Sequence, residues 1–154
     1  MTTILVCGLP GSGKTTLSEE LLYVLGNAAD WYNADKIREQ FNDWDFSDTG
    51  RKRQMERMKS LCQNSIQRDR IAIADFVCPT KELRDEFNAD FVIWMDTIDE
   101  GRFEDTNKIF ESLDVTDYNA IITEHEWWTE LYTKQWAQEI VRRLRGEEST
   151  RNSA

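Results

Sequence analysis

The stretch GLPGSGKTT at residues 8–16 lies between a short apolar run and a segment with helical periodicity. It fits the pattern G-x-x-x-x-G-K-[ST] between a strand and a helix. Glycines let the backbone turn so that successive amide N–H groups converge, and the following helix adds its own free N–H groups. With a lysine at its end, such a loop is typical of a site for the phosphates of a nucleotide.

The loop predicts ATP and Mg²⁺ as cofactors, with Lys14 bridging the β- and γ-phosphates and the Thr15 hydroxyl on the metal. The alternative, a glycine-rich turn that matches by chance, is disfavoured because the flanking strand and helix patterns are both present. The residues expected to contact the nucleotide are Gly8, Pro10, Gly11, Ser12, Gly13, Lys14, Thr15 and Thr16.

Strand and helix patterns alternate along the rest of the chain, and runs such as IAIADF at 71–76 are typical of parallel strands buried on both faces. The sequence therefore predicts an α/β fold, a three-layer sandwich around a parallel five-stranded sheet, which is the P-loop NTPase fold. The expected strands are 3–7, 31–33, 71–76, 91–95 and 120–122. The expected helices are 14–25, 35–41, 48–68, 81–87, 99–109 and a closing helix on the face of Trp128, Tyr132, Trp136, Ile140 and Leu144.

The 154 residues favour one kinase-sized domain, 1–145, followed by a disordered tail, GEESTRNSA at 146–154. A net charge of −10 disfavours nucleic acid as a partner. The opening apolar run, Ile4–Leu9, is too short to span a membrane. Three scattered cysteines are typical of reduced thiols in a cytoplasmic protein, with Cys7 buried in a strand.

Two acids follow predicted strands and complete a candidate metal set of Thr15, Asp35 and Asp75. Asp75 ends a buried strand, where an aspartate can hold a Mg²⁺-bound water; the alternative is an ordinary strand-end acid. Asp35 follows the second strand, where ligands bind in open α/β sheets, and could accept the proton of an acceptor hydroxyl. The alternative is a helix cap for residues 36–41.

The class of nucleotide enzyme is narrowed by what the chain lacks. A guanine motif N-K-x-D is missing, since Asn107-Lys108 is followed by Ile109 and Phe110. ATPase motors usually need a longer chain. A compact chain with the loop at its start fits a small kinase.

Four stretches resemble adenylylsulfate (APS) kinase in order and spacing over about residues 4–96: GLPGSGKTTLSEELL, NADKIREQFN, DFSDTGRKRQMERM and IAIADFVCPTKELRDEF. The resemblance implies ATP-dependent phosphorylation of the 3′-hydroxyl of APS to give PAPS, as in sulfate assimilation. It also implies a tendency to form homodimers.

The resemblance assigns roles to individual residues. It implies Lys14, Asp35 and Arg38 as catalytic residues, with Asp35 orienting or deprotonating the 3′-hydroxyl. It places Phe46 against the adenine of the acceptor, and it has Arg102 reach the phosphates or adenine of ATP from the helix at 99–109. The residues it implies for binding the acceptor are Asp35, Arg38, Asn42, Phe46, Arg51 and Gln54.

The residues alone leave plainer alternatives open. Arg38, Arg51 and Arg57 could be surface charges paired with neighbouring acids, and Phe46 and Trp44 could be core residues. The chain also departs from the family pattern at several positions. Asn33 replaces the first acid of that pattern, Gln54 replaces an asparagine and Cys78 replaces a serine. A short acidic segment, SLDVTDY at 112–118, replaces its long basic lid.

NADKIR also resembles polynucleotide kinase, which implies a 5′-hydroxyl acceptor. A kinase for another small hydroxyl compound and a non-enzymatic ATP-binding regulator remain alternatives. His125 is interpreted as a surface helix residue. Trp127 and Trp128 are assigned to packing or a subunit contact, with a platform for stacking a base as the alternative.

Overall fold

Five parallel strands form one sheet, in the order β2-β3-β1-β4-β5, in a computed structural model that describes residues 2–153, with side chains to Gly146. The predicted α/β sandwich with a five-stranded parallel sheet is confirmed. The strands are β1 (Thr3–Cys7), β2 (Ala29–Asn33), β3 (Ile71–Asp75), β4 (Phe91–Asp96) and β5 (Ala120–Thr123). The helices are α1 (Lys14–Leu25), α2 (Ala34–Phe41), α3 (Asp48–Gln67), α4 (Lys81–Phe87), α5 (Glu104–Ile109) and α6 (Glu130–Ser153).

Two helical layers cover the sheet, because successive strand side chains point to opposite faces. In β1, Ile4 and Val6 pack with Leu17 and Leu21 of α1 and with the buried face of α6. On the other face, Leu5 and Cys7 join a core built from α3 and α4, with Met55, Met58, Cys62 and Phe87 as members. Each face of the sheet is therefore closed by its own apolar core.

The carboxyl ends of the three strands β2, β3 and β1 lie side by side. The register pairs Asn33 with Asp75 and Val6 with Asp75, and the glycine-rich loop follows directly after β1. Because parallel strands end at the same edge, the loop and the residues that end β2 and β3 come together there.

Two predicted helix starts change in the structure. The helix predicted at 99–109 is wrong in its first half: α5 begins at Glu104, because Gly101 bonds through both its N–H and its carbonyl to the side chain of Asn107. The closing helix begins at Glu130 rather than near Trp128, where the Thr129 hydroxyl accepts a bond from the amide of Tyr132.

The end of the chain leaves the predicted domain boundary untested. The backbone of α6 continues to Ser153, but the side chains from residue 147 on lie outside the described residues, so the tail at 146–154 stays a prediction. Within residues 2–153, no helix combines the length and apolar character that crossing a bilayer demands.

Candidate active site

The glycine-rich loop turns through backbone conformations that side chains rarely adopt. Gly11 and Gly13 have φ of 87° and 100°. At Gly13 a side chain would also collide with the indole of Trp127. Glycine is therefore required at residue 13 by both the backbone and its neighbour.

The start of α1 faces this loop without a cap. Helix α1 begins at Lys14, and Gly13 before it offers no side-chain hydrogen bond to the first turn. The first N–H groups of a helix have no partner inside it, so they remain donors for an anion. The start of α1 beside the loop therefore offers backbone donors to an anion, which is the arrangement that the sequence predicts.

Lys14 lies at the centre of that set. Its ammonium donates to the carbonyl of Leu9 at 2.9 Å. Burial lowers the pKa of Lys14, and the nearby Asp75 carboxylate partly offsets that effect. The charged form of Lys14 is therefore destabilised by its surroundings, and a bound phosphate would stabilise it.

A buried hydroxyl in the same loop also fits a phosphate ligand. Ser12 is fully buried, and within the described residues its Oγ has no hydrogen-bond partner. The Ser12 carbonyl accepts from the hydroxyl of Thr97 at 2.7 Å, which fixes the loop against the end of β4. Buried polar groups without partners are uncommon, and an anion in the loop is one explanation for this one.

Three side chains form a closed triangle beside the loop. The Thr15 hydroxyl donates to Oδ2 of Asp75 at 3.1 Å. The amide of Asn33 donates to the same Oδ2 at 2.9 Å and to Oγ1 of Thr15 at 3.1 Å. The predicted juxtaposition of Thr15 and Asp75 is therefore present, and Asn33 is an additional member.

Asp75 is buried, and that burial raises the pKa of its carboxyl group, with the bonds from Asn33, Thr15 and Trp31 acting against the rise. All three bonds found within the described residues go to Oδ2, which leaves Oδ1 for a metal-bound water. Oxygen donors of this kind suit Mg²⁺, which usually takes one or two carboxylates and keeps water and phosphate ligands. The residues present therefore fit a Mg²⁺ ion.

Asp35 lies in the exposed first turn of α2 and does not complete that triangle. None of the hydrogen bonds found within the described residues joins it to Thr15 or Asp75, and its role as a metal ligand stays a prediction. Its carboxylate acts on the pKa of both Lys14 and Arg38. The alternative assignment as a helix cap is wrong, because Asn33 caps α2 by accepting from the amide of Lys36.

An exposed aromatic ring lies beside two guanidinium groups next to α2. The Phe46 ring is 52% exposed, and its centroid lies 4.3 Å from the guanidinium carbon of Arg38 and 5.4 Å from that of Arg51. The ring is therefore no core residue and has surface free for a planar ligand. Trp44, interpreted as a core residue, is 50% exposed, and that interpretation is wrong.

The arginines divide between the two interpretations offered by the sequence. Arg38 is buried and donates to the carbonyls of Asp43 and Asp45, and Arg51 donates to the Phe46 carbonyl and the Thr106 hydroxyl. Neither donates to a carboxylate among the residues whose side chains the structure describes. Arg57, by contrast, is paired with the Asp43 carboxylate at 3.0 Å, as the surface-charge alternative predicts.

Asp43 is the centre of an ion-pair cluster. Arg53 binds it through two nitrogens at 2.7 and 2.9 Å, and Arg57 adds a third bond. These bonds hold the pKa of the Asp43 carboxyl group well below its usual range. The charges of Arg53 and Arg57 are therefore already paired with a carboxylate of the protein.

Asn42 and Gln54, expected to bind the acceptor, have structural partners instead. Asn42 ends α2 in a left-handed conformation with φ of 48°. The buried Gln54 donates to the carbonyl of Ala34 and accepts from Arg57. Their contact with an acceptor stays a prediction.

Arg102 lies in the loop before α5 rather than on a helix. Its side chain is exposed, and its charge is close enough to contribute to the lowered pKa of Lys14. The neighbouring Gly101 packs on the loop, where an added Cβ would lie 3.0 Å from the carbonyl oxygen of Pro10. Arg102 therefore stands near the expected phosphates, although the predicted helical position was wrong.

The two adjacent tryptophans differ in solvent exposure. Trp127 is 4% exposed and belongs to the core beneath the loop, whereas Trp128 is 56% exposed. They share no exposed face, which excludes a paired platform and supports packing for Trp127. His125 is exposed in a short 3₁₀ turn.

Comparison with known proteins agrees with the loop and its neighbours. The model of the adenylylsulphate kinase family matches residues 1–97, which is more than half of the chain. The chain belongs to the adenylylsulphate kinase family. No curated protein matches this family member.

Solved structures show the same fold at low identity. The Mycobacterium tuberculosis APS kinase in complex with AMPPNP and APS is 17% identical, with a TM-score of 0.70 over 94% of this chain and 97% of that one. A hexameric APS kinase from Thiobacillus denitrificans is 18% identical, with a TM-score of 0.72 over 94% of this chain and 29% of that one. Shikimate kinase from Acinetobacter baumannii in complex with shikimate is 17% identical, with a TM-score of 0.59 over 96% and 94%. This family member is thus a kinase with the P-loop fold, acting on a nucleotide or another small molecule.

Proposed function

We propose that this kinase transfers the γ-phosphoryl group of ATP to a hydroxyl group of a small acceptor with an aromatic base, the 3′-hydroxyl of adenylylsulfate being the first candidate. The observation that carries the proposal is the position of Asp35. It lies in the first turn of α2, between the cap Asn33, which bonds Thr15 of the phosphate loop, and Arg38, whose guanidinium carbon is 4.3 Å from the Phe46 ring centroid. It therefore stands between the groups expected to hold the donor and those expected to hold the acceptor.

On the donor side, the loop N–H groups and Lys14 bind the phosphates of ATP and take up the charge that develops during transfer. Thr15 and Asp75 would hold Mg²⁺, which would neutralise part of the charge of the phosphates. Arg102 reaches the phosphates from the loop before α5. Nucleotide binding would also give the buried Ser12 hydroxyl a partner and the Lys14 ammonium a negatively charged one.

On the acceptor side, the exposed face of Phe46 stacks on the base, and Arg38 and Arg51 orient the anionic part of the acceptor. Asp35, exposed at the start of α2, accepts the proton of the attacking hydroxyl group. Helix α2 contributes both residues, Asp35 and Arg38, to this arrangement.

A neutral acceptor, such as a nucleoside, is the second candidate, and the Asp43 cluster favours it. Arg53 and Arg57 are bound to Asp43. Burial lowers the pKa of Arg51, and the negative charges of Asp48 and Asp105 act against that fall. The acceptor side therefore offers less net positive charge than its arginines suggest. A 5′-hydroxyl oligonucleotide is a weaker candidate because the chain carries a net charge of −10.

The test is an ADP-release assay with Mg²⁺ and ATP over three acceptors: adenylylsulfate, a set of nucleosides and a 5′-hydroxyl oligonucleotide. We expect turnover to rise with one acceptor class, with adenylylsulfate the first candidate. ATP binding without acceptor-dependent turnover would favour a regulatory protein. Homodimer formation is measured on the same material by light scattering.

Asp35→Asn tests the assigned proton acceptor. We expect the acceptor-dependent rate to fall by about 100-fold, the usual size of a general-base contribution. Glu39→Gln is the matched control, because Glu39 is an exposed acid one turn further along α2. Equal rates for the two variants at equal thermal stability would remove Asp35 from the mechanism.

A further inference from the structure

Asn33 contacts two parts of the molecule that perform different tasks. Its amide nitrogen bonds Oδ2 of Asp75 at 2.9 Å and Oγ1 of Thr15 at 3.1 Å. Its amide oxygen accepts from the backbone amide of Lys36 at 3.1 Å, which caps α2. One side chain therefore joins the candidate metal-holding residues to the helix that carries Asp35 and Arg38.

The bonding capacity of Thr15 explains why a donor is needed at this point. A threonine hydroxyl has one proton and two lone pairs. The proton goes to Asp75, and Asn33 donates to one lone pair. This leaves one lone pair, with its direction fixed, for a cation.

A carboxylate at residue 33 could cap α2 but could not donate the bonds to Thr15 and Asp75. An ionised carboxylate accepts hydrogen bonds and donates none, so it would repel Asp75 where the amide of Asn33 binds it. An amide supplies both a donor for the metal-holding pair and an acceptor for the helix cap. The asparagine, which replaces an acid of the family pattern, therefore has a specific bonding role.

We propose that Asn33 is a positioning residue that fixes Thr15 and Asp75 for the metal-nucleotide complex and transmits its binding to the start of α2. The proposal rests on the proposed function as far as Mg²⁺ and nucleotide bind at the loop. Groups that orient metal-holding side chains from outside typically change metal affinity by 10- to 100-fold when they are removed.

Two substitutions separate this role from that of a simple helix cap. Asn33→Ser retains a hydroxyl that caps the helix, since serine is a favoured N-cap residue, but it is too short to bridge Thr15 and Asp75. Asn33→Ala removes both contacts. Asn64→Ser is the matched control, because Asn64 is exposed on α3.

The measurement is calorimetric binding of ADP with Mg²⁺ and with EDTA, for the wild type and all three variants. We expect Asn33→Ser and Asn33→Ala each to lose about 10-fold of the affinity gained from Mg²⁺. Their affinity for ADP in EDTA, and all values for Asn64→Ser, should stay within about twofold of the wild type. Full retention of the Mg²⁺-dependent gain by Asn33→Ser would show that Asn33 is a helix cap and overturn the proposal.

Hydrogen exchange at the Lys36 amide tests the link to α2. In the wild type, Mg²⁺ and ADP together should slow that exchange more than ADP alone. In Asn33→Ser the amide should stay protected without this ligand-dependent gain, and in Asn33→Ala the protection itself should fall. A gain in Asn33→Ser equal to that in the wild type would overturn the link.

The outcomes also separate this proposal from the proposed function. If the wild type binds ADP in a Mg²⁺-dependent way but turns over none of the acceptors, phosphotransfer to these acceptors is excluded and the role of Asn33 is still decided by the variants. If Mg²⁺ does not affect ADP binding by the folded wild type, both proposals are wrong.

Discussion

The charges at the donor end of the candidate site and those of the Asp43 cluster, which lies beside the acceptor end, are affected by their surroundings in opposite ways. At the donor end, burial lowers the pKa of Lys14 and raises the pKa of Asp75, so both charges are destabilised by their surroundings. In the cluster, Arg53 and Arg57 hold the pKa of Asp43 well below its usual range, so these charges stabilise one another. Burial lowers the pKa of the acceptor-side Arg38 and Arg51, as it lowers that of Lys14.

The difference indicates how strongly each group of charges favours a charged ligand. Charges that are destabilised in the empty site gain from a ligand of complementary charge, as a metal-nucleotide complex would be. Charges that are already paired gain little from a charged ligand, because its binding must first break the existing pairs. The donor end is thus suited to a highly charged ligand and Arg38 and Arg51 to an anion, whereas the Asp43 cluster adds little attraction for a charged acceptor.

The largest expected effect comes from Lys14→Met. We expect acceptor-dependent turnover to fall by about 100- to 1,000-fold, since a preorganised donor to the transferring group is lost. The free energy of unfolding of the nucleotide-free protein should not fall, because methionine fills a similar volume without a buried charge. ADP release and urea unfolding check the two parts. A parallel loss of stability would mean that Lys14 supports the fold rather than the ligand.

Gly13→Ala tests the backbone of the donor end. An alanine there would be strained at φ of 100° and would collide with Trp127, so we expect the free energy of unfolding to fall by about 3 kcal/mol. Gly11→Ala is the control: φ is 87°, but the nearest atom to its Cβ would be 3.9 Å away, so about 1 kcal/mol is expected.

Urea unfolding distinguishes the collision from the backbone strain. Combining Gly13→Ala with Trp127→Leu should cost less than the sum of the two single substitutions, because the smaller side chain gives the new methyl group room. Additive costs would show that Trp127 does not limit residue 13.

The donor end could be predicted from sequence because its information is local. Residues 8–16 carry the loop, the lysine and the hydroxyl within nine positions, and the strand and helix around them follow from apolar patterns. Asp75 required one further step, the parallel pairing of β1 with β3, which places its side chain against Thr15. The role of Trp127 at Gly13 could not be inferred, since they are 114 positions apart.

The acceptor end was less predictable because its residues can bond in several ways. Sequence spacing does not show that Arg38 binds backbone carbonyls while Arg57 binds Asp43. That choice depends on the path of the chain between α2 and α3. The family resemblance indicated the right neighbourhood for Phe46, and the structure adds the exposure of its ring.

Asp43→Asn would remove the negative charge at the centre of the Asp43 cluster. The substitution releases Arg57 and leaves Arg53 with only the Asp45 carboxylate, so an anionic acceptor should gain relative to a neutral one. We expect the ratio of kcat/KM values for adenylylsulfate and a nucleoside to rise by about 10-fold. Lys81, paired with Asp117 on another surface, offers Asp117→Asn as the control, with an unchanged ratio expected.

The smallest expected effect is a difference in the pH dependence of stability between variants of Asp43 and Asp75. Asp43 has a lower pKa in the folded chain than its ordinary value of 3.8, so its ionisation stabilises the fold above about pH 4 and that contribution disappears as the pH falls further. Asp43→Asn should therefore lower Tm at pH 7, and the gap to the wild type should narrow below about pH 4.

Asp75 should behave in the opposite sense, because its pKa is raised in the folded chain. Its ionisation costs stability at pH 7, and the cost disappears as the pH falls through the raised pKa. Since Oδ2 accepts all three bonds from Thr15, Asn33 and Trp31, an amide oxygen can replace it in Asp75→Asn. We expect this variant to match or exceed the wild-type Tm at pH 7 without nucleotide, and to lose that advantage in acid. Melting curves of both variants from pH 7 to pH 3 measure the contrast, and a lower Tm for Asp75→Asn at pH 7 would show that the donor end is charge-compensated as well.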